Sequence, residues 1–266
     1  MQNKDWNGKN LDCGESTGGR LAVRDYTRLL LNTSHIAEPT AEILQKLTKT
    51  WKFKGKTPGD DNSSTIHLGC YSDLQSLTSE DTITWSFIGL LSYEPIDIQG
   101  DFVSWCFREI EVPISRERCA DAHISLWRRL PHWHTQGRNG SEPDSIITAG
   151  DFIVLAEHKW IEPAKLRKQI AALRSYVELL GPTYHPNVRD FVLLSIYLPA
   201  ATKPKELPHE DSIDLGSGRT LHIRNLPWSV IAGYRRHPAR AELVTYYQWR
   251  LKMCGITERP MPVEEA

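Results

Sequence analysis

Asp144 and Glu157 are separated by twelve residues, Ser-Ile-Ile-Thr-Ala-Gly-Asp-Phe-Ile-Val-Leu-Ala, and Lys159 follows two positions on. Ala149-Gly150-Asp151 is a turn sequence between two short β runs, Ser145 to Thr148 and Phe152 to Glu157. Asp144 therefore opens one strand of a hairpin, Glu157 ends the next, and the turn returns both carboxylates to one end of the sheet. Two carboxylates there make a hard, oxygen-lined site suited to Mg²⁺ or Mn²⁺, with water at the remaining positions. Side chains alternate along a strand, so Lys159 shares the face of Glu157 while His158 points away. That leaves the His158 backbone carbonyl, not its ring, near the ion. A lysine at such a site orients or deprotonates an attacking water and stabilises charge on a phosphate. The competing reading makes Asp144 and Glu157 strand-end acids in salt bridges with Lys159 or Arg138.

The elements that must position these residues are legible in part. Thr78-Ser79-Glu80-Asp81 reads as a helix start, a hydroxyl cap with acids in the first turn, followed by Ile83, Trp85, Phe87, Ile88 and Leu91. After Pro163 the period changes. Leu166, Ile170, Leu173, Val177 and Leu180 define an amphipathic helix expected to stop at Gly181-Pro182. Phe191 to Leu198 reads as a buried strand, Ile213 to Ile223 as a hairpin around Gly216-Ser217-Gly218, and Ala239 to Met253 as a closing helix. Ala122 to Leu130 suits a half-buried strand, and residues 101–112 fit strand or helix. Upstream, residues 1–19 read as a mobile lead-in, Arg20 to Leu31 and Pro39 to Lys49 have helical spacing, and Gly55 to Ser64 is loop-like. The order from residue 79 predicts an α/β fold, a mixed sheet with helices packed on it.

Pro143-Asp144 followed by Glu157-His158-Lys159 resembles the PD-(D/E)XK nuclease superfamily. The likeness extends to a preceding acid-bearing helix, where Glu80 is the candidate, a three-stranded meander, a helix carrying Gln169 and Tyr176, and a further strand. It is nearest to the RecB-like and Cas4-like branches, in which a glutamine on that helix contacts substrate or water. The resemblance covers roughly residues 79–200. It implies a restriction-endonuclease-like core over 66–200, with a helical extension at 1–65 and a hairpin and helix at 201–266 packing on it. It further implies phosphodiester hydrolysis with Mg²⁺ or Mn²⁺, with Asp144, Glu157, Lys159 and Gln169 as catalytic residues. The ion would be held by Asp144, Glu157, the His158 carbonyl and Glu80. DNA is the leading substrate and RNA the second. For Glu80 the plain alternative is an acid complementing the helix dipole.

Composition narrows the class. In 266 residues, 32 Lys and Arg face 33 Asp and Glu, which excludes a histone-like basic coat and an acidic tail. The basic residues nevertheless cluster: Arg116, Arg118, Arg128, Arg129 and Arg138 before the motif, Lys165, Arg167, Lys168 and Arg174 after it, and Arg219, Arg224, Arg235, Arg236 and Arg240 towards the end. Cations flanking an acidic site hold the phosphates that the acids repel. Lys165, Arg167, Lys168, Arg128 and Arg138 are the nucleic-acid-binding candidates. Five scattered cysteines without a Cys-x-x-Cys pair, and an N-terminus without an apolar stretch, predict a cytoplasmic protein with no membrane segment. His132-x-His134 with His123 lacks a familiar zinc spacing, and no phosphate-binding Gly-x-x-x-x-Gly-Lys-Ser/Thr is present. A homodimer, or a partner subunit that supplies specificity, is compatible with these features. The rival functions are a catalytically silent nuclease-fold module that binds nucleic acid or a partner protein, and an enzyme on another fold that lacks the Asp144–Glu157 hairpin.

Overall fold

The computed structural model of the chain describes residues 4–15, 21–23, 25–31, 40, 42–43, 46, 74, 76–130, 142–161 and 163–257. The expected loop at Gly55 to Ser64, most of the Pro39 to Lys49 helix, Cys70, His132, His134 and Arg138 lie outside these residues. Strands β1 (Cys13–Glu15) and β2 (Leu21–Val23) pair with each other. Helix α1 (Glu80–Thr84) continues as a π turn over Trp85–Gly89, and α2 spans Ile96–Glu109. There follow β3 (His123–Leu126), β4 (Ser145–Thr148), β5 (Phe152–His158), α3 (Leu166–Tyr184) and β6 (Asp190–Tyr197). The chain continues with β7 (Asp211–Gly216), β8 (Arg219–Pro227), α4 (Trp228–Ala232) and α5 (Arg240–Met253).

One six-stranded sheet runs in the order β3-β4-β5-β6-β8-β7. The β3-β4-β5 meander is antiparallel, β5-β6 and β6-β8 are parallel, and β7 closes the edge antiparallel to β8. The parallel strands thus end at one edge of the sheet, at His158, Tyr197 and Pro227, and β4 begins there at Ser145.

Strand alternation divides the core into two layers. Phe152, Val154 and Ala156 of β5, with Val192, Leu194 and Ile196 of β6, bury against α1, α2 and α5 residues such as Phe87, Phe102, Val103 and Tyr246. Ile153, Leu155, Phe191 and Leu193 point the other way, onto Leu166, Ile170, Leu173 and Val177 of α3. Glu157 continues the second set, so it faces α3.

One open reading is decided here and several expectations are corrected. Residues 101–112 belong mainly to a helix, because Phe102, Val103, Cys106 and Phe107 recur at helical spacing on a buried face. Helix α3 does not stop at Gly181-Pro182 but runs to Tyr184. Gly181 lets it approach β6 closely, since an added Cβ there would lie 3.1 Å from the Phe191 ring. The part of Arg20 to Leu31 that is described forms β2 and a 3₁₀ turn at Tyr26–Leu29, not a long helix. Residues 4–15 are not a loose lead-in. Trp6 packs edge-on against Tyr246 and Trp249, and the Trp249 indole donates to the Lys4 carbonyl at 2.7 Å. In the C-terminal hairpin, β8 is an inner strand of the sheet, paired with β6 over eight positions. Gly216, Ser217 and Gly218 all have positive φ, the turn geometry that their sequence suggested. Among the described residues no helix is long and apolar enough to cross a membrane.

Candidate active site

The β4-β5 hairpin pairs Ser145 with Ala156. Asp144 therefore stands beside the end of β5, and its Oδ2 accepts the His158 backbone N–H at 2.8 Å. Ser145 and His158 meet on the opposite face, Oγ to Nε2 at 3.0 Å, while the other ring nitrogen sits 2.9 Å from Thr84 Oγ1. Their neighbours Asp144 and Glu157 consequently share the α3 face. The ring of His158 points away from the acids, as alternation predicts, and burial holds its pKa well below the usual value.

Helix α1 begins where it does because Ser79 Oγ accepts the Thr82 N–H at 3.3 Å. That start brings Glu80 to the same edge. Its Oε1 accepts from Lys159 Nζ at 2.7 Å and its Oε2 from the Trp160 backbone N–H at 3.2 Å. Lys159 Nζ also donates to the His158 carbonyl at 2.7 Å and lies 3.9 Å from Asp144 Oδ2. Glu80 and the His158 carbonyl, both expected as ion ligands, are in this arrangement bonded to the lysine. On α3, three residues into the helix, Gln169 Nε2 donates to Glu157 Oε2 at 2.6 Å.

The electrostatics are those of a crowded acid cluster. Burial, and then the charge of Asp144, push the Glu157 carboxyl up to about 9 and that of Glu80 up to about 7, with Lys159 opposing both. Burial works to lower the Lys159 pKa, but Asp144 and Glu80 outweigh it and the ammonium is held above its usual range. The acids outnumber the cations that face them.

Sequence reasoning missed four contributors. Lys46 bonds Asp81 Oδ1 at 3.0 Å, sits 4.5 Å over the Trp127 ring, and its charge acts on Asp144 and Glu157. Ser195 is the register partner of Glu157 on β6 and is fully buried. Trp228 donates its indole N–H to the Lys159 carbonyl at 3.0 Å, and Trp160 donates to Cys254 Sγ at 3.2 Å. Trp160 directly follows the motif, whereas Lys46, Ser195 and Trp228 are brought in by long-range packing and have no local spacing to announce them.

The remaining candidates divide. Lys165, Arg167 and Lys168 are exposed on the first turns leading to Gln169. Arg128 is exposed just past Trp127, whose backbone N–H donates to the Asp144 carbonyl at 3.2 Å. Tyr176 instead bonds His185 at 3.1 Å, away from the acids. His123 pairs with Thr148, at the end of β4 remote from Asp144.

No family model matches the chain, and no curated protein matches it. Among solved structures, the chain is similar to one from an assembly of Thermococcus gammatolerans McrB AAA+ hexamers with bound McrC, at 12% identity and a TM-score of 0.26. The match covers 62% of this chain and 34% of the other, so the chain spans about a third of that protein's length. A likeness of that size bears on neither fold nor function.

Proposed function

We propose that the chain is a metal-dependent nuclease on a restriction-endonuclease-like core, hydrolysing phosphodiester bonds in DNA ahead of RNA. The observation that carries this reading is the convergence of Glu80, Asp144, Glu157, Lys159 and Gln169, from four separate segments, on the edge where β5 ends. Open α/β sheets place ligands outside the carboxyl ends of their parallel strands, and this is such an edge. The antiparallel meander, the α3 crossover and parallel β6 follow the order that the resemblance implies.

The resemblance also implies Mg²⁺ or Mn²⁺. Among the described residues, no three His, Cys, Asp or Glu side chains are grouped to hold an ion by themselves. Mg²⁺ asks for less, one or two carboxylates with waters and substrate phosphate completing the shell. Asp144 and Glu157 would supply those carboxylates. Beside Glu157, the buried Oε1 of Gln169 and hydroxyl of Ser195 have no hydrogen-bond partner among the described residues, and buried polar groups of this kind are suited to bind water. The acid crowding that raises Glu157 and Glu80 is also what a divalent cation relieves. The donor set therefore fits the ion, which when bound would lower the pKa of water and neutralise charge developing on the phosphate.

The chain's own residues have distinct tasks in this reading. The His158 N–H fixes the orientation of Asp144, and the Gln169 amide fixes that of Glu157. Glu80 and the His158 carbonyl hold the Lys159 ammonium beside Asp144, where it orients the attacking water and offsets charge on the phosphate. Glu80, with one oxygen on the Lys159 ammonium and the other on the Trp160 backbone N–H, positions the lysine.

The test is incubation with linear, circular and single-stranded DNA and with RNA, with Mg²⁺ and with a chelator. Cleavage in Mg²⁺ alone is expected. Salt-dependent binding with no cleavage of any substrate would replace this reading with the silent binding module.

A further inference from the structure

The segment that leaves β6 emerges at the same edge as Glu157 and Lys159, because β5 and β6 are parallel and Glu157 pairs with Ser195. It forms two 3₁₀ turns, Pro199–Ala201 and Pro204–Glu206, and returns against α3. Two contacts fix it there. Leu207 packs on the α3 side of the core, and Arg167 Nη1 donates to the Lys205 carbonyl at 3.0 Å. The effect is to set Lys203 and Lys205, both exposed, beside the exposed Lys165, Arg167 and Lys168. Within residues 163–169 and 199–207 the one acid is Glu206, and its carboxylate is occupied by the Lys203 backbone N–H at 2.7 Å.

This basic surface borders the acids. Lys165 and Gln169 are four residues apart, about 6 Å along a helix, and Gln169 touches Glu157. The basic surface and the acid cluster therefore adjoin at one edge of the sheet.

We infer that Lys203 and Lys205 extend the nucleic-acid footprint: the sugar-phosphate backbone runs from the Glu157 site across the start of α3 onto the turn after β6. This rests on the nuclease reading and adds to it a second binding segment, distant in sequence from the motif. The chemistry recognised is the phosphodiester backbone, common to DNA and RNA, so the contacts position the strand without reading bases. Five cations in one surface also give the strand a direction of exit from the acids.

The experiment measures binding of the full chain to a labelled DNA duplex, and to RNA of the same sequence, across a salt series without divalent ions. The proteins are wild type, the double variant Lys203→Ala/Lys205→Ala, the triple variant Lys165→Ala/Arg167→Ala/Lys168→Ala, and Arg219→Ala at the opposite end of the sheet. Loss of two phosphate contacts flattens the slope of log K against log salt by about 1.8 and weakens binding by about tenfold at low salt. The double variant is expected to show this on whichever nucleic acid wild type binds, while Arg219→Ala keeps the wild-type slope. A double variant with unchanged affinity and slope, alongside a weakened triple variant, overturns this inference and leaves the nuclease reading standing. Equal losses from Arg219→Ala also overturn it, since the cations would then act as a diffuse field. Failure of wild type to bind either nucleic acid overturns both.

Discussion

Glu157 and His237 show opposite consequences of burying a titratable group. Burial and Asp144 keep the Glu157 carboxyl up at about 9, so near neutral pH its metal-free form is a neutral hydrogen-bonding group. The amide of Glu157→Gln is a close mimic of that form. The variant is expected to fold with a thermal midpoint within a few degrees of wild type, yet to lose cleavage by at least about a hundredfold, because a carboxylate is needed when an ion binds. A variant that cleaves normally would remove Glu157 from the chemistry. His237 lies far from these acids in its bonding. Its Nε2 faces the Phe87 carbonyl at 3.1 Å and its Nδ1 accepts the Ala239 N–H at 3.1 Å, an arrangement that only neutral imidazole satisfies. Burial lowers its pKa to about 4. The unfolded chain takes up the proton first, so the stability His237 contributes is whole above pH 6.5 and drains away as pH falls towards 4. The loss is on the order of 3 kcal/mol. Denaturant titrations from pH 7 to pH 4 should show a shallower decline in His237→Gln; an identical decline would assign the acid sensitivity elsewhere.

Among the elements, α1, β4 and β5 are joined behind the site by His158. Its ring lies between Thr84 and Ser145, and these three residues sit on the segments that carry Glu80, Asp144 and Glu157. His158→Ala would open a cavity and leave two buried hydroxyls unpaired, a loss of about 3–5 kcal/mol. Thermal unfolding measures it, and a midpoint unchanged from wild type would contradict this role. The hairpin that makes the join was legible in sequence, since Ala149-Gly150-Asp151 marks the turn and the flanking β runs give the register. The cap at Ser79 and the face of α3 that carries Gln169 were legible for the same reason: each depends on neighbours within one or two turns. What was not legible depended on distant partners. Lys46, more than thirty positions before Glu80 in sequence, bonds Asp81 and lies over Trp127, contacts that no local spacing announces. Pro182 looked like a stop, yet it falls in the last turn of α3, where the cost is its own missing bond back to the carbonyl of residue 178 and the helix ends two residues later. The Gly- and Asn-rich start looked unstructured, but Trp6 anchors it to α5.

Over the whole molecule, near-neutral net charge conceals an acidic centre with a basic surface along one side of it. The acids at the edge of β5 cannot all ionise in the metal-free protein, and a divalent cation that lets them do so should favour the folded state by binding it selectively. Addition of Mg²⁺ is expected to raise the melting temperature of wild type and to do so much less in Asp144→Asn. Equal shifts in the two proteins would place the ion elsewhere. The pairing of β6 with β8 also makes the β7–β8 hairpin part of the sheet, a topology that hydrophobic periodicity alone does not specify. The central claim, that Asp144 belongs to a hydrolytic centre, is tested most directly by the rate of Mg²⁺-dependent cleavage of linear duplex DNA by wild type and by Asp144→Asn, with folding of both verified by circular dichroism. Wild type is expected to cleave and a chelator to abolish that cleavage, with a rate at least about a hundredfold lower in the folded variant; a folded Asp144→Asn that cuts as fast as wild type would remove Asp144 from any hydrolytic centre.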